Sequence, residues 1–173
     1  VVTERTGPGL AEDVPVGSTG SVDLLELHED VHARDPDLTA VDLGVSLLNN
    51  LVAAAGIDPT ETRLNYMLNC QGCHAADGRG LNDIPAMADS VGTFLRVDGG
   101  RAYLVQVPGS TNSPLSNQDL ADVLNWILLT MSAEQLPRPF TPYSAKEVGG
   151  FRAQPLIDAA ATRALLLRQL AQQ

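Results

Sequence analysis

The chain has 173 residues, enough for one or two small domains that bury a proper core. Its net charge of −10 disfavours nucleic acid and anionic membrane surfaces as partners, and no apolar run is long enough to span a bilayer. Twelve acidic and three basic residues fall within 1–65, so the imbalance is almost wholly N-terminal. Such a face either keeps the protein solvated or greets a partner with a basic docking patch.

In chain order, residues 1–20 are rich in Gly, Pro, Ser and Thr and read as an extended arm. Residues 21–34 carry Val22, Leu24, Leu25, Leu27 and Val31 at helical spacing, with acids between them. Thr39 opens a second helix that runs to Gly56, a glycine suited to a C-cap. His28 and His32 stand one turn apart and could share a metal, although such pairs on polar helices are ordinarily just exposed. These elements make residues 1–57 an acidic N-terminal arm and helical extension.

Asp58 and Pro59 then supply an N-cap and a first-turn proline, and Glu61 completes a capping box for a helix running to Cys70. Residues 99–109 form a short helix; Tyr103 to Val107 is the best strand signal and is too short to outweigh it. Ser116 to Asp119 cap a helix over 120–129 that carries Trp126. Ser132 to Tyr143 is a proline-rich extended connector, and Ser144-Ala145-Lys146-Glu147 is a capping box opening a short helix. Pro155 opens the last helix, with Leu156, Ile157, Leu165, Leu166, Leu167 and Leu170 as its apolar positions. The prediction is an all-α protein with a core over 58–131 and a connector with a helical extension over 132–173.

The first core helix runs into Cys70-Gln71-Gly72-Cys73-His74, which holds both cysteines of the chain. This is the attachment sequence of a c-type haem. Two thiols one helical turn apart can add to the two vinyl groups along one edge of a porphyrin, and the adjacent imidazole then reaches the iron. A redox dithiol would normally sit where a strand meets a helix, and none precedes this pair. A zinc site would need a second Cys/His pair at finger spacing, and none follows.

The surroundings of the motif resemble class I monohaem cytochrome c. Residues 75–80, Ala-Ala-Asp-Gly-Arg-Gly, look like that family's loop after the attachment histidine, and Pro85-Ala86-Met87 resembles its Pro-x-Leu. The likeness implies one covalently bound haem c and a Pro85 carbonyl that orients the proximal His74. It also implies a core helix over 120–129 crossing the first. One departure matters. The family places its distal methionine before a proline between the short helix and the last core helix, and here Ser113 precedes Pro114. The candidates for the sixth position are Met87, then Met131, then an open site or one lined by Asn112, then a histidine. Met67 suits core packing. Arg101 matches a haem propionate, although pairing with a surface acid is close behind. Tyr66, one turn before Cys70, packs on the ring edge or donates to a propionate.

The resemblance implies an electron carrier rather than an enzyme, serving an extracytoplasmic dehydrogenase of the quinoprotein, flavoprotein or amine-oxidising kind, or acting as a cytochrome subunit. Covalent haem attachment outside the bacterial cytoplasm implies a periplasmic protein whose leader has been removed. The missing methionine motivates the alternative, a haem-based gas sensor with an open or weakly ligated iron. Peroxide chemistry would need a distal acid/base, and the core offers no histidine besides His74.

Overall fold

A computed structural model describes Val52 and residues 56–173. The predicted arm, most of the N-terminal helix pair and His28 and His32 lie outside the described residues. Gly56 does cap as expected. Its φ is +71°, the Ile57 amide donates to the Val52 carbonyl at 3.1 Å, and both flanking apolar side chains are buried.

Asp58 then opens helix α1, Pro59–Asn69. Its Oδ1 accepts from the Thr60 and Glu61 amides at 2.8 and 3.1 Å, and Pro59 takes a position where its missing N–H costs nothing. The helix stops one residue earlier than predicted. Cys70 turns out of helical geometry at φ −122°, so the attachment motif forms its own turn, α2, Gln71–His74. A 3₁₀ segment follows at Val91–Arg96, then α3, Gly100–Gln106, α4, Pro108–Thr111, and α5, Asn117–Met131. A 3₁₀ turn at Ala133–Gln135 leads through the connector to α6, Ala145–Arg152, and α7, Ala159–Leu170. Every regular element among the described residues is helical, so the fold is all-α. None of these helices is long and apolar enough to cross a membrane.

Two predicted helices differ in their bounds. The short helix expected to reach Gly109 ends at Gln106, because Pro108 forces Val107 into extended geometry (ψ 146°) before α4 begins. The last helix does not start at Pro155. Asp158 is the working cap, its Oδ1 accepting from the Ala161 amide at 2.8 Å, which leaves Leu156 and Ile157 outside the helix. Ile157 is fully exposed; Leu166 is the one predicted leucine of α7 that is fully buried.

The core forms around α5. Leu120, Val123, Leu124, Ile127 and Leu128 are buried, each worth about 1.5–3 kcal/mol relative to exposure. α1 packs across this helix, with the Tyr66 and Trp126 rings 5.2 Å apart and tilted by 49°. The same cluster takes in Leu136, Phe140, Tyr143 and Val148 from beyond Met131, so the C-terminal segment is built into the core. Asn125, 2% exposed, fastens it. Its amide donates to the Tyr143 carbonyl at 2.9 Å and accepts from the Tyr143 amide at 2.7 Å. Where α3 starts, only glycine fits at position 100, since a Cβ there would strike the Phe94 carbonyl.

Candidate functional site

The turn α2 brings Cys70, Cys73 and His74 together. The Cys70 carbonyl accepts from the amides of Cys73 and His74, both at 3.1 Å. The two thiols are free; Cys73 is exposed, and Cys70 is half-buried. Burial first and the Cys73 thiol second push Cys70 up to about 11, so it is a neutral thiol at neutral pH. His74 Nδ1 is buried without a hydrogen-bond partner. Burial lowers the pKa of this imidazole, and the neighbouring Pro85 carbonyl works against that shift without closing a well-aligned hydrogen bond.

The loop that follows is shaped by its glycines. Gly80 has φ +78°, its amide donates to the His74 carbonyl at 3.0 Å, and a Cβ there would strike the Ile84 carbonyl. The Gly78 carbonyl accepts from the Met87 and Ala88 amides at 2.7 and 3.1 Å. The Asp89 amide reaches the Met131 carbonyl at 2.8 Å, and Met131 Sδ lies 2.7 Å from where a Gly78 Cβ would stand. Pro85, Met87 and Met131 are therefore gathered around the segment behind His74. Tyr66 closes this side from α1. Its ring is 1% exposed, its hydroxyl donates to the Ala75 carbonyl, and burial pushes its pKa up to about 12.

The other predicted residues lie elsewhere. The Arg101 guanidinium forks onto Glu147 with two 2.8 Å bonds, donates to the Thr141 carbonyl at 2.8 Å and stacks 4.1 Å over the Tyr143 ring. Its carboxylate-matching edge is thus taken by the C-terminal segment, the surface-acid alternative. Asn112 is an exposed C-cap of α4. Ser113 is next to it, and its Oγ is buried without a partner. Arg152, which the sequence does not mark, organises that loop from α6. It donates to the carbonyls of Ser113 at 2.6 Å, Leu115 at 2.8 Å and Thr111 at 3.2 Å, and to Asn117 Oδ1 at 3.2 Å. Its partners lie 35 to 41 positions away, so no local pattern announces it.

The residues at α2 fit a covalently held haem. Two unbridged thiols and an imidazole share one turn, and the imidazole's rear nitrogen lies buried beside a carbonyl. Leu64, Met67 and Leu68 on α1 and Leu81 and Ile84 beyond α2 are large apolar side chains left exposed on either side of the motif. A flat apolar group anchored at Cys70 and Cys73 is the kind of body that would cover such surface. Among the described residues no three His, Cys, Asp or Glu side chains converge, so the cysteine pair has no partners there for a zinc site.

No family model matches the chain, and no solved structure does. It is similar to cytochrome c-552 of Thermus thermophilus, at 30% identity over 106 residues that cover 50% of this chain and 81% of the relative. A second cytochrome c-552, from another isolate of the same organism, is likewise 30% identical over 106 residues, covering 50% of this chain and 72% of its own. With the attachment turn, the free thiol pair and the imidazole backed by Pro85, this likeness shows that the chain belongs to the c-type cytochromes.

Proposed function

We propose that the chain is a class I monohaem cytochrome carrying single electrons between an extracytoplasmic dehydrogenase and a downstream acceptor. The observation that carries the reading is the α2 turn, where Cys70, Cys73 and His74 meet within four residues of helix and His74 Nδ1 lies by the Pro85 carbonyl. When bound, a haem supplies an iron that takes up and gives back one electron. The protein's own part is to hold and orient it. Cys70 and Cys73 anchor the macrocycle through thioethers, and His74 offers Nε2 to the iron while Pro85 fixes the ring from behind. Tyr66, bonded to Ala75 next to His74, keeps that turn seated on α5.

A dehydrogenase of the quinoprotein, flavoprotein or amine-oxidising kind suits the donor, and a basic docking patch on it would complement the twelve acids of residues 1–65. Covalent attachment of the haem implies a location outside the cytoplasm. The test is expression in an extracytoplasmic compartment with haem-maturation machinery. A covalent haemochrome spectrum, reversible reduction by one electron and loss of low-spin character in His74→Ala support the reading. A protein that leaves that compartment with both thiols free and no Soret band refutes it. A second reading, a ligand-binding haem protein, is favoured by Ser113, a hydroxyl where the resemblance expects a thioether.

A further inference from the structure

Helix α5 sets two sides of the site apart. At its C-terminal end Met131 rests its thioether on Gly78, and Met87 is bound through its amide to the same glycine. Both thioethers therefore belong to the segment behind His74, the side on which Pro85 meets Nδ1. The other end of α5 lies a helix length away, about 22 Å for 15 residues. Residues 111–116 lead into that end, and they contain Ser113 Oγ, the one hydroxyl among the described residues that is buried without a partner. Buried hydroxyls are costly to leave unpaired, so a persistent orphan points to a partner that the protein chain itself does not supply. The loop cannot turn to relieve it. Arg152 holds the carbonyls of Thr111, Ser113 and Leu115 together, and Pro114 stiffens the turn between them.

We propose that residues 111–116 wall a pocket for a small exogenous ligand of the haem iron, a diatomic such as carbon monoxide or nitric oxide, on the face away from His74. Ser113 Oγ donates the hydrogen bond to that ligand, and Arg152 is the positioning residue that fixes the hydroxyl. The proposal rests on haem attachment at Cys70 and Cys73, and it adds a ligand to the electron carrier without replacing it. Binding forms one dative bond from the ligand to ferrous iron and transfers no electron.

The test uses the holoprotein, reduced and titrated with carbon monoxide, and reads the C–O stretching band by infrared or resonance Raman spectroscopy. The expected result is stoichiometric uptake with a single narrow band. Ser113→Ala raises the stretching frequency, because a donated hydrogen bond weakens the C–O bond, while Ser113→Thr retains the wild-type position. Arg152→Lys splits or broadens the band at unchanged haem content, which a merely stabilising residue would not do. A haemochrome spectrum without carbon monoxide uptake overturns the pocket alone, as does a C–O band that Ser113→Ala leaves in place. Absence of the haemochrome overturns both the pocket and the electron-carrier reading.

Discussion

The two loops at the ends of α5 are held in opposite ways. Residues 75–89 are tied by main chain: Gly80 to His74, Met87 and Ala88 to Gly78, Asp89 to Met131. Residues 111–117 are tied by one side chain, the Arg152 guanidinium, arriving from α6. A loop fastened by its own amides tolerates most side-chain changes but fails where a Cβ cannot enter. A loop fastened by one guanidinium tolerates changes along itself and fails when that distant residue goes. The site therefore has a side built for permanence behind His74 and a side whose order depends on the C-terminal segment.

Replacing Gly80 gives the largest expected effect. Gly80→Ala combines a φ of +78° with a collision at the Ile84 carbonyl, and it should cost about 3 kcal/mol in denaturant unfolding. Amide exchange should accelerate over 75–89 and stay slow over 111–117. Arg152→Ala should reverse that pattern, at about 2 kcal/mol for charged hydrogen bonds lost to partly buried carbonyls. Equal acceleration of both loops in both variants would erase the contrast.

Tyr66→Phe should cost about 1 kcal/mol, the worth of one hydrogen bond to the Ala75 carbonyl. It also sharpens the account of the His74 side through pH. The Tyr66 phenol is raised from 10.0 to about 12 in the fold, so the folded state keeps a proton that the unfolded chain releases. Its contribution is complete below pH 10 and is lost as pH rises from there through about 12. Thermal unfolding across that window should fall less steeply in the Phe variant, with a residual slope from buried Tyr143, whose pKa is raised as well.

The smallest effect belongs to Arg101 and Glu147, whose side chains are each 28% exposed. A double-mutant cycle should return a coupling of about 0.5–1 kcal/mol that shrinks with added salt. A coupling insensitive to salt would mean that the pair is shielded more deeply than its exposure indicates.

Much of this arrangement is written in short-range terms. Asp58, Ser116 and Ser144 cap their helices because a side-chain oxygen two or three residues ahead of an open amide is enough, and all three are readable from sequence. The attachment motif is equally local. The 3₁₀ segment Val91–Arg96 is not legible because it has no 3.6-residue period; what holds it is Phe94 against Tyr103 and the Gly92 amide on Ser132 Oγ, 40 positions on. The break at Val107 is legible in Pro108 but is outweighed by the apolar run before it. Arg152 is illegible in principle, since its worth depends on three carbonyls that only the folded chain assembles. The C-terminal boundary follows a change of composition, and composition says nothing about which core a connector enters.

The reciprocal bonding of Asn125 with the backbone of Tyr143 bears on the order in which the molecule is made. The attachment motif at 70–74 is complete long before residue 143 has been synthesised. Until that residue arrives, α5 carries a carboxamide in its apolar interior whose donor and acceptor are both unanswered, at about 1–3 kcal/mol each. The core is thus held ajar by its own asparagine while the cysteines are already present. It closes only when the tail supplies one peptide unit. A chain stopped at Met131 would keep every haem-anchoring residue and lack the latch.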